Sequence, residues 1–218
     1  MKKIICSAIV LLIASTSLFA QSESQNEFRN KYVTFNMISF IYSNTPRWNF
    51  GYYHNINNHF TLGTEAGIGT HMTTKDYFSL EFSPEIRYIL NPKGSTKKFI
   101  SLEGFYIYHK EEITDYTYQS ETDSNEYHYD SASYKRHKYG MNLNYGMIVN
   151  FSKRTGIIPK VGLGIKMRNV VFSNIVNPTP YEDDNEGFIP SIRNYRKVEG
   201  YHSSVNFNFE LQFFYKFQ

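Results

Sequence analysis

Over residues 203–218, Val205, Phe207, Phe209, Leu211, Phe213, Tyr215 and Phe217 alternate with Ser204, Asn206, Asn208, Glu210, Gln212, Phe214 and Lys216. Only a β-strand puts every second residue on one face, so this stretch predicts a strand with an apolar side and a polar side, the latter broken by Phe214. The same period recurs upstream and predicts strands over 31–42, 48–56, 60–69, 77–90, 99–118, 136–151 and 157–171. Pro84 falls on the apolar side of the fourth, where its missing N–H predicts a bulge or bend, and Phe105 and Ile107 break the polar side of the fifth. Connections after the second, fourth and sixth strands are short; those after the first, third, fifth and seventh are generally longer, with polar loops expected over 119–135 and 172–196. The eighth strand must pair with the first if the sheet closes.

The polar face decides what kind of sheet this is. Gly63, Gly67, Gly69, Gly140, Gly146, Gly162 and Gly164 share that face with Glu65, Glu81, Glu85, Glu103, Glu210, Arg87, Lys160, Lys166, Arg168 and Lys216. Glycine weakens a solvent-facing strand, whereas a narrow lumen needs small residues opposite large ones. Buried charges persist only when paired, and both signs are present in similar numbers. The ten charged residues are therefore expected to form an ion-pair network inside a closed wall, with the aromatic and aliphatic face outside. Trp48, Tyr88, Tyr108, Tyr139, Tyr215 and Phe217 stand toward strand ends, as interfacial girdles require. A soluble sandwich with a solvated polar face is the competing reading.

Composition adds the compartment. Lys2 and Lys3, an apolar run over 4–13 and small residues leading to Ala20 predict a secretory signal peptide over 1–20, followed by a flexible lead-in at 21–30 and one domain over 31–218. The only cysteine, Cys6, lies in the leader, so the remainder has no disulfide framework. The formal charge is +3, of which Lys2 and Lys3 carry two, and the remaining balance gives no nucleic-acid footprint. No later segment has the ~18 consecutive apolar residues of a membrane helix, but a barrel strand needs only about 9 to 11 alternating residues.

The leader, the eight alternating strands, the basic short turns and the ending Phe213-Phe214-Tyr215-Lys216-Phe217-Gln218 resemble the small outer-membrane β-barrel family of Gram-negative bacteria. The resemblance implies an all-β, eight-stranded antiparallel up-and-down transmembrane barrel with a packed polar lumen. It also implies export through the general secretory pathway and a place in the outer membrane, among lipid and lipopolysaccharide. Phe213, Tyr215 and Phe217 would be the C-terminal signal read by the barrel-assembly machinery; family strands usually end on the aromatic itself, and here Gln218 follows. The function expected is non-enzymatic, structural or a surface interaction with a ligand or protein through the long outer loops, with no cofactor. The alternatives are a lipid- or lipopolysaccharide-modifying enzyme and a narrow pore or ligand-binding barrel.

Candidate chemistry is sparse. One deacylase type of this class uses a His-x-Ser pair with a carboxylate, which His202, Ser204 and Glu210 superficially resemble. The strand period places Ser204 and Glu210 roughly 20 Å apart, against the ~3 Å contact a triad needs. The acidic run at 182–186 lacks the spacing of a known Ca²⁺ loop, and the histidines lack metal-ligand spacing. Catalytic, cofactor and metal residues are accordingly expected to be none. Tyr127, Tyr129 and Tyr134 offer an adhesive surface, because tyrosine supplies contact area at low entropic cost.

Overall fold

In the computed structural model, residues 31–39, 45–71, 74, 76–121, 125–181 and 198–217 are described. The expected leader, the lead-in, the acidic run at 182–186 and Gln218 lie outside the described residues. Among the described residues nine strands form, β1 (Lys31–Asn36), β2 (Trp48–Asn55), β3 (Phe60–Thr70), β4 (Phe78–Ile89), β5 (Lys97–Gln119), β6 (Glu126–Asn150), β7 (Thr155–Val176), β8 (Thr179–Pro180) and β9 (Gly200–Lys216). Strands β1 to β7 and β9 make a closed antiparallel barrel, and β8 is a short addition to the outer part of β6. Closure is the expected one: β9 pairs with β1 from Tyr32↔Lys216 to Asn36↔Gln212. Stepping around the ladders at constant register returns to β1 about ten residues along the chain, which in eight strands corresponds to a tilt of roughly 40°.

Three features differ from the sequence expectation. β1 stops at Asn36, whose side-chain oxygen accepts the Ile38 N–H at 3.1 Å and turns the chain out of the strand. Pro84 causes no bulge: the β4–β5 ladder is interrupted beside it, but the pairs Phe82↔Tyr106 and Glu85↔Glu103 keep one register across the gap. The missing donor costs ladder bonds without an inserted residue, and Gly104 across from the ring leaves it room.

The largest difference is the loop expected over 119–135. It is mostly strand, so β5 and β6 run 23 and 25 residues and the connection between them is only 120–125. β4 leaves β5 at Phe78↔Lys110 and β9 leaves β7 at Gly200↔Val170. Beyond those points β5, β6 and β7 continue as a projection, β5 by roughly 30 Å along the strand. Tyr129, Ala132, Tyr134, Val170 and Phe172 are buried together there, with Ile113, Tyr116, Tyr118 and Ile175 against them. This small core gives the projection the hydrophobic face that a few strands need to hold together in water.

Within the barrel the two faces are as the alternation predicts. Phe50, Leu62, Phe82, Leu143, Ile165 and Phe207 point outward, and Phe207 is 80% exposed. Most inward positions are buried, including the apparent exceptions Phe105, Ile107 and Phe214, while Lys138 and Lys166 are half-buried and Ser204 is exposed. The glycines explain how these rings fit, because a Cβ at Gly63 would overlap the Tyr53 ring, one at Gly146 the Phe99 ring, and one at Gly140 the Phe105 ring. Gly63→Ala is expected to cost about 1–3 kcal/mol, since the Tyr53 ring must leave its seat. Gly104→Ala, whose Cβ would meet only Pro84 at 3.8 Å, should be close to neutral. Denaturant unfolding of the two variants side by side checks this contrast.

Candidate functional site

At the short-turn end, inward side chains from seven strands meet as a sealed ring cluster of Tyr32, Tyr53, Ile89, Phe99, Ile148, Ile158 and Phe214, each at most 2% exposed. Tyr32 and Tyr53 stack at 5.2 Å, and Phe214 packs its edge on Tyr32 at 6.0 Å. Lys216 lies below, its Nζ 5.1 Å from the Phe214 ring centroid and bonded to Asn150. Arg87 joins this apolar floor to the polar layer above, with its guanidinium carbon 3.8 Å from the Tyr53 centroid and 4.8 Å from that of Phe99. Cations sit well on aromatic faces when water is excluded.

The polar layer is organised by Lys160. Its Nζ lies 2.7 Å from Glu103, 3.1 Å from Glu210 and 3.2 Å from Glu85. Glu85 also accepts from Arg87 at 2.7 Å, and the Tyr53 hydroxyl stands 2.8 Å from both Glu65 and Glu85. Amides also donate into the layer: Asn144 to Glu103 at 2.9 Å, Asn208 to Glu210 at 2.8 Å, and Gln212 to Glu210 at 2.7 Å and also to Glu65. These are charge-assisted bonds, roughly twice as strong as neutral ones.

The ten charged residues picked from sequence thus divide into four groups. Glu65, Glu85, Arg87, Glu103, Lys160 and Glu210 converge in this layer. Glu81 instead pairs with Arg47, and Asn49 and Ser83 donate to it at 2.6 and 3.0 Å. Lys166 and Arg168 lie six and eight residues beyond Lys160 on β7, roughly 20 and 26 Å up the strand, while Lys216 is at the opposite end. Arg47, Tyr53 and Gln212 were not singled out from sequence. Arg47 falls between the strands expected over 31–42 and 48–56, although the parity of Asn49 and Gly51 continues back to it.

On the long-loop side of the inner cluster is a cavity of about 480 Å³. Its walls include Arg47, Arg136, Lys138 and Lys166, with Glu81 beside Arg47 and with Glu103 and Glu210 as its acidic lining. Asn36, Asn49, Asn142 and Asn206 add neutral donors and acceptors. Arg136 donates to the Thr45 hydroxyl, and the Lys138 ammonium lies 5.2 Å from the Phe105 centroid.

The other motifs do not assemble into chemistry. Ser204 and His202 face the lumen near the outer end, with His202 Nε2 2.8 Å from the Glu199 carbonyl, whereas Glu210 belongs to the Lys160 layer. Among the described residues no group of three or more acids, histidines or cysteines is arranged to hold a metal. Phe213, Tyr215 and Phe217 point outward at the short-turn end, where Tyr215 meets Phe217 at 5.8 Å and accepts from Arg154 at 3.4 Å. Compared with protein families, curated proteins and solved structures, the chain matches none.

Proposed function

We propose that this chain is an integral outer-membrane β-barrel protein with a non-enzymatic role, its lumen a structural plug and its projecting β5–β6 hairpin the surface that meets a ligand or protein outside. The observation that carries this reading is the outward apolar belt. On β6 it runs from Tyr139 through Met141, Leu143, Tyr145 and Met147 to Val149, roughly 33 Å along the strand and about 25 Å along the axis at the tilt above. That is the height of the apolar band on outer-membrane barrels, about 25 Å. Phe60, Tyr88, Tyr215 and Phe217 ring the short-turn end and Trp48, Tyr106, Tyr108 and Tyr139 the other, and exposed apolar area on this scale is foreign to a water-soluble monomer. Past the belt the outward positions of β5 become Lys110, Glu112 and Thr114, as expected where a strand leaves lipid for water.

Two experiments test it. The protein should be recovered in the outer-membrane fraction with heat-modifiable gel mobility; recovery as a freely soluble periplasmic protein sinks the reading. Leu163→Arg, at the middle of the belt, should cost about 2–4 kcal/mol when unfolding is followed in lipid vesicles. A change inside about 0.5 kcal/mol, as on an ordinary wet surface, counts against membrane burial. The sealed ring cluster favours a plug over a pore, so reconstituted protein should give no single-channel steps. Lipid A mass spectra with and without the protein separate this reading from an enzyme.

A further inference from the structure

We propose that the short-turn rim of the barrel is a docking surface for anionic phospholipid headgroups. It takes the barrel to span a membrane, as proposed above, and adds the class of lipid that the short-turn end selects. Charge is distributed unevenly between the two ends. The stretches 54–60, 88–100, 146–158 and 213–217, which build the short-turn end, hold no aspartate or glutamate. They do hold exposed Lys93, Lys98, Lys153 and Arg154, and exposed Lys31 opens β1 beside them. Among the described residues the acids outside the lumen, including Asp76, Glu112, Asp115, Glu121 and Asp130, all belong to the long-loop end. Cations on a rim that no described acid interrupts create a field that draws the opposite charge.

The backbone sets these cations along one arc. The Phe217 N–H donates to the Lys31 carbonyl at 3.1 Å and the Lys216 N–H to the Arg154 carbonyl at 2.7 Å, so the start of β1 and the β6–β7 turn both clasp the end of β9. Lys98 stands across the ladder from Met147 on β6, the strand that leads into that turn. Their depth identifies the partner. Lys31 and Lys98 are the next positions on the outward face after Val33 and Ile100, toward the short-turn end, and Arg154 donates to the Tyr215 hydroxyl at 3.4 Å. Interfacial tyrosines sit at headgroup level, so the cations stand where lipid phosphates lie. Lysine and arginine stems cover apolar surface while their charged heads reach that layer. A zwitterionic headgroup brings an ammonium of its own to this rim, whereas an anionic one brings phosphate without it. A soluble acidic protein fits less well, because short turns hold these cations level with the aromatic ring.

The test reconstitutes the full chain into phosphatidylcholine vesicles, with folding verified by heat-modifiable mobility, and reads lipid association from spin-labelled phosphatidylglycerol and phosphatidylcholine. Phosphatidylglycerol should be favoured at the protein surface by roughly five-fold at low salt, the effect of about one full cation at a lipid surface. The preference should shrink as salt is raised, which tests the same charges without any substitution. Lys31→Gln, Lys98→Gln, Lys153→Gln and Arg154→Gln combined should abolish it. Lys110→Gln with Lys135→Gln, exposed ladder partners at the long-loop end, should leave it unchanged. Equal association of the two lipids with the parent overturns the proposal and leaves the rim to an acidic macromolecule. A preference that survives the four substitutions, or high salt, overturns it as well. A protein that immobilises neither lipid fails the membrane reading itself, and the lipid docking falls with it.

Discussion

Lys160→Met is expected to destabilise the folded barrel by about 3–5 kcal/mol, the cost of removing one partner from a buried ion cluster. Lys160 is 1% exposed and its ammonium is shared by Glu85, Glu103 and Glu210. Methionine fills a similar volume, so little of the loss comes from a cavity; it comes from carboxylates left in a dry interior. Of the four acids in the layer, only Glu85 keeps a cationic contact, through Arg87. Adding Glu103→Gln and Glu210→Gln to Lys160→Met should therefore recover most of the loss, because neutral side chains of the same shape remove the uncompensated charge while the amides of Asn144 and Asn208 remain to bond them. Equilibrium unfolding of the parent, Lys160→Met, the Glu103→Gln and Glu210→Gln pair alone, and the combined variant gives the coupling energy as a mutant cycle. A single Lys160→Met variant within about 1 kcal/mol of the parent would show that the layer is wetter and more plastic than its geometry implies.

How much of this was legible in the sequence depends on where the alternation holds. In the barrel wall it holds on every strand, since each side chain sees either the lumen or the outside, and the sequence therefore revealed the faces, the closing pair and most of the inner cluster. Phe105, Ile107 and Phe214 looked like errors in the pattern only because a polar lumen was assumed to be polar throughout; they are packed rings over glycines. Tyr53 was passed over for the same reason. It stands next to Tyr52, which the alternation places outward, and its own inward position lets Tyr53 hold Glu65, Glu85 and Arg87.

The projection was illegible because its alternation is broken and its apolar face changes side. Asp115 and Asn174 adopt positive φ of 52° and 54°, a conformation that Asp and Asn tolerate better than most residues. The β5–β6 ladder skips Asp115, and the β6–β7 register shifts between Ser131 and Ser133. Each irregularity moves the next residues to the opposite face, so Tyr129 and Tyr134, of the same face by neither parity nor spacing, end in one core. Outward positions there turn polar, which reads as a loop in a scan for apolar stripes.

Arg87→Leu should cost a comparable 3–5 kcal/mol, about as much as any single change in the lumen, but its partners allow the cause to be divided. Arg87 is 0% exposed. The guanidinium carbon lies over rings, 3.8 Å from the Tyr53 centroid and 4.8 Å from that of Phe99. Its edges donate to Glu85 at 2.7 Å, to Tyr32 at 3.1 Å and to Gln212 at 3.2 Å. Leucine keeps the apolar floor sealed and leaves Glu85 with Lys160 as its cation and the Tyr53 hydroxyl as a donor, so unfolding should move to lower denaturant while reconstituted protein stays electrically silent. Lysine keeps the charge and loses the planar fork that reaches ring and carboxylate together. Arg87→Lys is accordingly expected to fall between, at about 1–3 kcal/mol, the cost of leaving buried acceptors unmet. If Arg87→Lys matched the parent, the charge alone would suffice and the stack on Tyr53 would add nothing. If Arg87→Leu matched it, the link between the ring floor and the acidic layer would not be what holds this end of the barrel together.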